Sequence, residues 1–210
     1  MSESNLHVQL GCGLIAPESW SNYDASPTLR LQRLPMVGPL FARAISPRFP
    51  DGVRYGDIVK GLPLPNGSVK ALYSCHMLEH LSLADMRQAL VNARRLLAPD
   101  GVFRLVVPDL EALAHSYLDS DDLEACSRFM EDTCLGVRDR KRGFAALLRE
   151  GLGNAAHLWM WDYKGLEAEL HAAGFRDIRR ASLGDADDPL FADVEKPGRW
   201  DGHLGIECRP

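Results

Sequence analysis

What this 210-residue sequence lacks removes several classes of function at once. No two of its five cysteines, Cys12, Cys75, Cys126, Cys134 and Cys208, stand at C-x-x-C spacing, and their odd number does not suit a disulfide framework. They are expected to be reduced thiols, with no zinc knuckle. No apolar run reaches the roughly 18 residues of a membrane-spanning helix, and no N-terminal stretch has the apolar core of a signal peptide. The expected address is cytoplasmic. A formal charge of -5 argues against broad nucleic-acid binding, although local basic patches remain open. Repeats and low-complexity tracts are also absent. What is present, 46% hydrophobic and 25% charged residues, fits one globular domain over 1–210, long enough to bury about 70% of its unfolded surface.

The most informative stretch is Leu6-His7-Val8-Gln9-Leu10-Gly11-Cys12-Gly13. A short strand running into Gly-x-Gly brings a nucleotide-type ligand to bare backbone, because glycine admits positive φ and puts no Cβ in the way. The string from Gly11 to Ala16 also fits a dinucleotide fingerprint. The next acid able to close a second strand is Asp24, after Ser19-Trp20-Ser21-Asn22-Tyr23, and only ten residues separate it from Gly13. A dinucleotide fold spends about twenty there, on a helix that holds the pyrophosphate. Recrossing a strand of about 17 Å with a helix takes roughly eleven residues at about 1.5 Å each. The crossover therefore has little or no helix, Pro17 does not favour one, and the pyrophosphate site is lost. A glycine turn beside a carboxylate suits an adenosine without phosphate, as in S-adenosylmethionine; a plain turn with a solvated Asp24 is the alternative.

Residues 25–50 contain no acid but four arginines, Arg30, Arg33, Arg43 and Arg48. Such a segment could rest on anionic lipid or a partner, but Pro35, Gly38, Pro39 and Pro47 favour short helical turns packed on the sheet. A third strand is expected at Val53–Asp57, with Asp57 able to accept from an adenine amino group, and a fourth at Val69–Ser74 leads into His76-Met77-Leu78-Glu79-His80. Helical spacing follows over Leu83–Leu97, stopped by Pro99-Asp100-Gly101, and then a buried strand over Val102–Val107. Residues 110–154 read as a helical insertion after this fifth strand, placed to serve as a lid. Its run Arg138–Arg142 could hold an anionic substrate, with a solvated loop as the favoured reading. A helix over Trp161–Gly174 and an antiparallel pair at Phe175–Ala181 and His203–Cys208 complete the chain, joined by a connection expected to be a mobile flap.

Taken together, Leu10-Gly11-Cys12-Gly13, Leu62 to Pro65, His76 to His80, Arg95 to Leu110, His157 to Asp162 and Ala173 to Phe175 resemble class I S-adenosylmethionine-dependent methyltransferases. More narrowly they are similar to small bacterial members associated with polysaccharide biosynthesis. The resemblance implies an α/β, Rossmann-like, seven-stranded sheet, mainly parallel with an antiparallel last strand. It also implies cofactor contacts: Gly11, Cys12 and Gly13 at the methionine end, Asp24 on the ribose, Asp57 on the adenine, and Ser74, Cys75 and His76 facing the sulfonium. The third glycine of the wider pattern is replaced by Ala16 and Pro17.

Methyl transfer needs a base only when the nucleophile is protonated, and imidazole suits a hydroxyl of a small-molecule or saccharide acceptor. His157, His80 and His76 are the candidates. His80 could equally cap or pair locally. His157 opens an aromatic stretch with Trp159 and Trp161 that could wall an acceptor pocket, unless the two tryptophans are core residues. His76, Glu79 and His80 stand i, i+3, i+4, so on one helical face they could bind a divalent ion with His157 as a fourth ligand. That spacing resembles the E-x-x-E-H site of metal-dependent O-methyltransferases, but no metal is expected. A catalytically silent cofactor-binding protein and, further behind, a nicotinamide-dependent oxidoreductase are the competing readings.

Overall fold

The structure is a computed structural model that describes residues 6–36, 38, 46–136 and 156–210. Seven strands form one sheet: β1 (Leu6–Leu10), β2 (Ser21–Asp24), β3 (Arg54–Tyr55), β4 (Val69–Cys75), β5 (Leu97–Pro108), β6 (Arg176–Ala181) and β7 (His203–Arg209). Their order is β3-β2-β1-β4-β5-β7-β6, with β7 alone reversed between β5 and β6. The expected α/β class and antiparallel last strand are therefore found. The order of connection reverses between β1 and β4, and ligands of open α/β sheets collect at the carboxyl ends of strands at such a point.

Among the described residues six α-helices accompany the sheet: α1 (Pro27–Gln32), α2 (Leu83–Leu96), α3 (Leu110–Leu118), α4 (Ala125–Asp132), α5 (Tyr163–Ala172) and α6 (Phe191–Val194). The Ser82 hydroxyl caps α2 by accepting from the Asp85 amide, and its apolar stripe of Met86, Leu90, Ala93 and Leu96 is buried. With Leu166 and Leu170 of α5 this stripe covers Leu72, Phe103 and Leu105 on one face of the sheet. Each such leucine contributes about 1.5–3 kcal/mol by leaving water. Asp109 and Asp162, acids of the V-P-D-L and H-x-W-x-x-D motifs, are the N-caps of α3 and α5. Among the described residues no helix is long and apolar enough to cross a membrane. In the arginine-rich segment α1 buries Leu29 and Gln32, as the expectation of short packed turns requires; residues 37 and 39–45 lie outside the described set. Arg138–Arg142 and the helix expected at Phe144–Arg149 also lie outside it.

Two local expectations are corrected. Helix α2 ends at Leu96 and β5 begins at Leu97, so Pro99-Asp100-Gly101 does not separate helix from strand but lies inside β5 as a bulge. Leu97 pairs with Val69 and Val102 with Ala71, which leaves the residues between as the excess. Proline pushes Ala98 towards extended backbone, and a Cβ on Gly101 would meet the Val69 carbonyl at 2.9 Å. The third strand is limited to Arg54–Tyr55, with Asp57 in the turn beyond it.

The third correction concerns the connection from Ser182 to Gly202, which is packed and not a mobile flap. Its Phe191, Val194 and Trp200 are buried with Trp20, Tyr73, Cys75 and Val106 against the second face of the sheet. The cause is Arg104, a cation in the middle of β5 whose side chain is completely buried. It donates to Glu195 at 2.9 Å, Asp185 at 2.8 Å, Glu207 at 2.7 Å and the Ser182 carbonyl at 3.1 Å. Its guanidinium lies over the rings of Phe191 and Trp200 at 5.3 and 5.2 Å. A buried charge is tolerated only when paired, and three of these acceptors, Ser182, Asp185 and Glu195, belong to the connection, so the segment must fold onto the sheet.

Replacing Arg104 with Leu should therefore cost about 3–5 kcal/mol, because Glu195 would stay buried without its counter-ion while Glu207 would keep only Arg179; urea unfolding monitored by tryptophan fluorescence measures it. Burial alone would raise the Asp185 carboxyl, but hydrogen bonds from Arg179, the Ser182 amide and Arg104 hold it at about 2. A lowered carboxyl stabilises the fold at pH above the unfolded value of about 3.9. That contribution should be lost between about pH 4 and pH 2, and acid titration of near-ultraviolet circular dichroism is expected to show the transition there.

Candidate functional site

At the switch point β1 and β4 leave the sheet side by side, each through a residue at positive φ. Gly11 has φ 61° and His76 has φ 53°. At Gly11 the conformation and the space both require glycine, since a Cβ would come within 2.7 Å of the Met77 side chain. The chain between β1 and β2 contains no helix, as the short spacing predicts. What opens between these strand ends is a cleft of about 480 Å³. Gly11, Gly13, Asp24, Asp57, His76 and His80 line it together with Tyr23, Ile58, Met77 and Arg199.

Asp24 is not a free surface acid. One carboxylate oxygen accepts from the Gly13 amide at 3.0 Å and the other from the Ser26 amide at 2.8 Å, so it ties the glycine turn to the start of α1. Each oxygen keeps a second lone pair for a donor in the cleft. Asp57 caps its own turn by accepting from the Val59 amide at 3.0 Å and pairs with Lys60 at 2.8 Å.

Cys12, Ser74 and Cys75 do not line the cleft, contrary to expectation. The Cys12 side chain packs with Leu29, Phe49 and Val53, and burial pushes its thiol up to about 12. On β4, alternate residues face opposite sides of the sheet. Cys75 accordingly joins Ala71 and Tyr73 beneath the connection, and Ser74 is buried on the other side with its hydroxyl unpartnered. All five cysteines are free thiols, as expected.

Three histidines expected to be functional are brought close to one carboxylate, by routes no local pattern shows. His76 Nε2 donates to the Arg199 carbonyl at 3.1 Å, because a carbonyl can only accept, and Nδ1 lies 3.2 Å from Glu79 Oε1. Its ring stands edge-on to that of His203 at 4.4 Å. His76 is outside any helix, and only Leu78–His80 forms a 3-10 turn, so the one-faced His76–Glu79–His80 set does not form. Instead the Glu79 carbonyl accepts from the Leu158 and Trp159 amides at 2.7 and 3.2 Å. The His80 Nδ1 donates to the Ala156 carbonyl at 3.0 Å, which is a long-range contact and not local capping.

These bonds hold His157 edge-on to His80, with ring centroids 5.0 Å apart. Burial is the largest influence lowering the His157 pKa below its ordinary value, although nearby Glu79 opposes it. A hydrogen bond with the Thr133 backbone after α4 orients the ring, and its buried Nδ1 has no partner among the described residues. Of the two tryptophans, Trp161 is a core residue at 4% exposure, while Trp159 is 43% exposed near the site.

Arg199 was not singled out by the sequence. It lies in the connection that Arg104 anchors, and its Nη2 donates to the Cys75 carbonyl at 2.9 Å. Met77 beneath Gly11 was also missed, although its place directly after His76 in the H-x-L-E-H stretch is a usable signal.

Comparison with known proteins agrees with this geometry. Residues 40–105 match a family model described as a methyltransferase domain. An uncharacterised 37.1 kDa protein in transposon TN4556 of Streptomyces fradiae is 38% identical over 97 residues, 45% of this chain; the chain spans only 27% of that relative's length. A solved S-adenosylmethionine-dependent methyltransferase of Thermotoga maritima, described as a possible histamine N-methyltransferase, superposes with a TM-score of 0.52. It is 14% identical, and the match covers 97% of this chain and 81% of that one. The methyltransferase in a Haloferax volcanii complex with the activator Trm112 gives 0.49 at 19% identity, over 99% of this chain and 83% of that one. Over residues 40–105 the chain is thus similar to a methyltransferase domain, and its fold is that of the Thermotoga maritima protein.

Proposed function

We propose that the chain transfers the methyl group of S-adenosylmethionine to a hydroxyl oxygen of a small-molecule or saccharide acceptor. The observation that supports this best is the partnerless, buried Nδ1 of His157 beside His80 and Glu79, next to the end of the cleft lined by His76 and His80. A hydroxyl needs to lose a proton as it attacks the methyl carbon, and a neutral imidazole lone pair in a dry site can take it. The methyl is already activated by positive sulfur, so the remaining work is alignment and exclusion of water. On this reading Gly11, Gly13, Asp24 and Asp57 hold the cofactor, with backbone near Gly11 and Gly13 at the methionine end and Asp24 accepting from the ribose hydroxyls. Helices α3 and α4 act as the described part of a lid over the acceptor, consistent with the bond between His157 and the Thr133 backbone. The arginine-rich segment 25–50 remains a candidate contact for a membrane surface or partner.

Replacing Asp24 with Ala should weaken S-adenosylhomocysteine binding about ten- to a hundredfold, the worth of hydrogen bonds to a charged group. Calorimetry on the folded variant measures it, and unchanged affinity would remove Asp24 from the site.

His157→Ala should leave cofactor affinity nearly unchanged and lower turnover by about 10²–10⁴-fold, the usual worth of a general base. Because burial lowers the His157 pKa, turnover of the unaltered protein should fall on the acid side only below the pH at which an ordinary imidazole titrates. In the variant that limb should disappear and the residual rate should climb with pH. An unaltered acid limb would take the proton-accepting role away from His157.

A further inference from the structure

One feature of the acceptor side is not accounted for by a base alone. Glu79, His80 and His157 each offer one ligand atom, and among the described residues these atoms lie within 4.8 Å of one another. Glu79 is completely buried, and its Oε2 has no hydrogen-bond partner among the described residues. His157 Nδ1 is likewise buried and unpartnered. His80 has its Nδ1 engaged with the Ala156 carbonyl, which fixes the proton there and leaves Nε2 as a lone pair. Among the described residues no donor reaches Glu79 Oε2 or His157 Nδ1, an arrangement that costs free energy unless a positive group completes it.

We propose that Glu79, His80 and His157 bind a divalent transition-metal ion. Two imidazoles and one carboxylate are the donor set of open, catalytic sites for zinc and related first-row ions, where the remaining positions take water or substrate. Binding at about 2.0–2.2 Å from each donor requires small rotations of the two rings. The outer contacts suit such a site: the His80 Nδ1 proton is held by a backbone carbonyl, His157 is oriented by the Thr133 backbone, and His76 Nδ1 at 3.2 Å orients the other Glu79 oxygen. The set differs from the one the spacing suggested, since His76 moves to the outer layer and His157 takes its place.

This inference rests on the hydroxyl-acceptor reading and changes the route of the proton. With the ion bound, the His157 lone pair is committed to it, and the acceptor hydroxyl occupies an open position on the ion. Coordination lowers the pKa of the hydroxyl, whose proton passes to solvent before water is excluded from the site. The resulting oxyanion attacks the methyl carbon, the carbon–sulfur bond breaks with its electron pair passing to sulfur, and the ether and S-adenosylhomocysteine leave.

The test uses the full chain after chelator treatment and dialysis, titrated with cobalt(II) or zinc(II) chloride by calorimetry and, for cobalt, visible absorption. One ion per chain is expected, with the absorption of a low-symmetry nitrogen–oxygen site. His157→Ala and Glu79→Gln should each weaken binding about tenfold or more. Thermal melting and S-adenosylhomocysteine affinity establish that the variants are folded, and His157→Ala carries the test if Glu79→Gln does not fold. No stoichiometric binding by the unaltered protein, or binding that both folded variants retain, would overturn the site. Failure to bind ions while S-adenosylhomocysteine still binds and methyl transfer persists would sink the metal alone; ion binding without methyl transfer to any hydroxyl acceptor would sink the functional reading.

Discussion

The cleft depends on a single constraint: β1 and β4 end next to each other, and the chain after β1 is too short to cover the opening with a helix. Ten residues between Gly13 and Asp24 must return the chain to the start of β2. No helix N-terminus is therefore presented to a phosphate, and the space is filled instead by backbone turns with small or absent side chains. Gly11 lets Met77 approach, and Asp24 clamps the Gly13 turn from the far side. The same short crossover that leaves no helix for a pyrophosphate thus shapes the floor of the cleft.

The second dependence is longer in range. Arg104 places a charge inside a β-strand, and the connection between β6 and β7 supplies two of its three carboxylate partners together with a carbonyl. Neutralising that charge folds the connection down, which brings Arg199 to the rim of the cleft and its carbonyl to His76. A stability feature on one face of the sheet in this way sets the position of a histidine at the other end of β4. His76 itself sits at φ 53°, a conformation uncommon for a residue with a Cβ, held by bonds at both ring nitrogens.

On the acceptor side the organising bond is from the backbone. The Glu79 carbonyl receives the amides of Leu158 and Trp159, and that docking brings His157 to His80 near a buried carboxylate. The result, among the described residues, is a cluster rich in lone pairs next to one end of the cleft. Such a site suits a group that arrives with a proton or a positive charge, which links the proposed hydroxyl chemistry to the proposed ion.

Much of the fold was legible because its signals are local. Apolar alternation marked β1 and β4, helical spacing marked α2 and α5, and chain length alone excluded a helix between β1 and β2. Those features rest on periodicity and reach within a few residues. Even local reading failed where two signals competed, as when Pro99-Asp100-Gly101 carried turn chemistry yet lay in a bulge of β5. Gly11, Gly13, Asp24, Asp57, His76 and His80, all singled out in the sequence, line one cleft, because each ends a strand or follows one closely. The sequence could not tell which neighbours turn inward: Cys12, Ser74 and Cys75 face cores because side-chain direction depends on what packs against each face of the sheet. Nor could it join His80 to Ala156, 76 residues away, or His76 to Arg199, 123 residues away. No period connects positions so far apart. Only packing across the finished sheet, driven by buried apolar area and by the need to pair buried charge, puts those groups within hydrogen-bond distance.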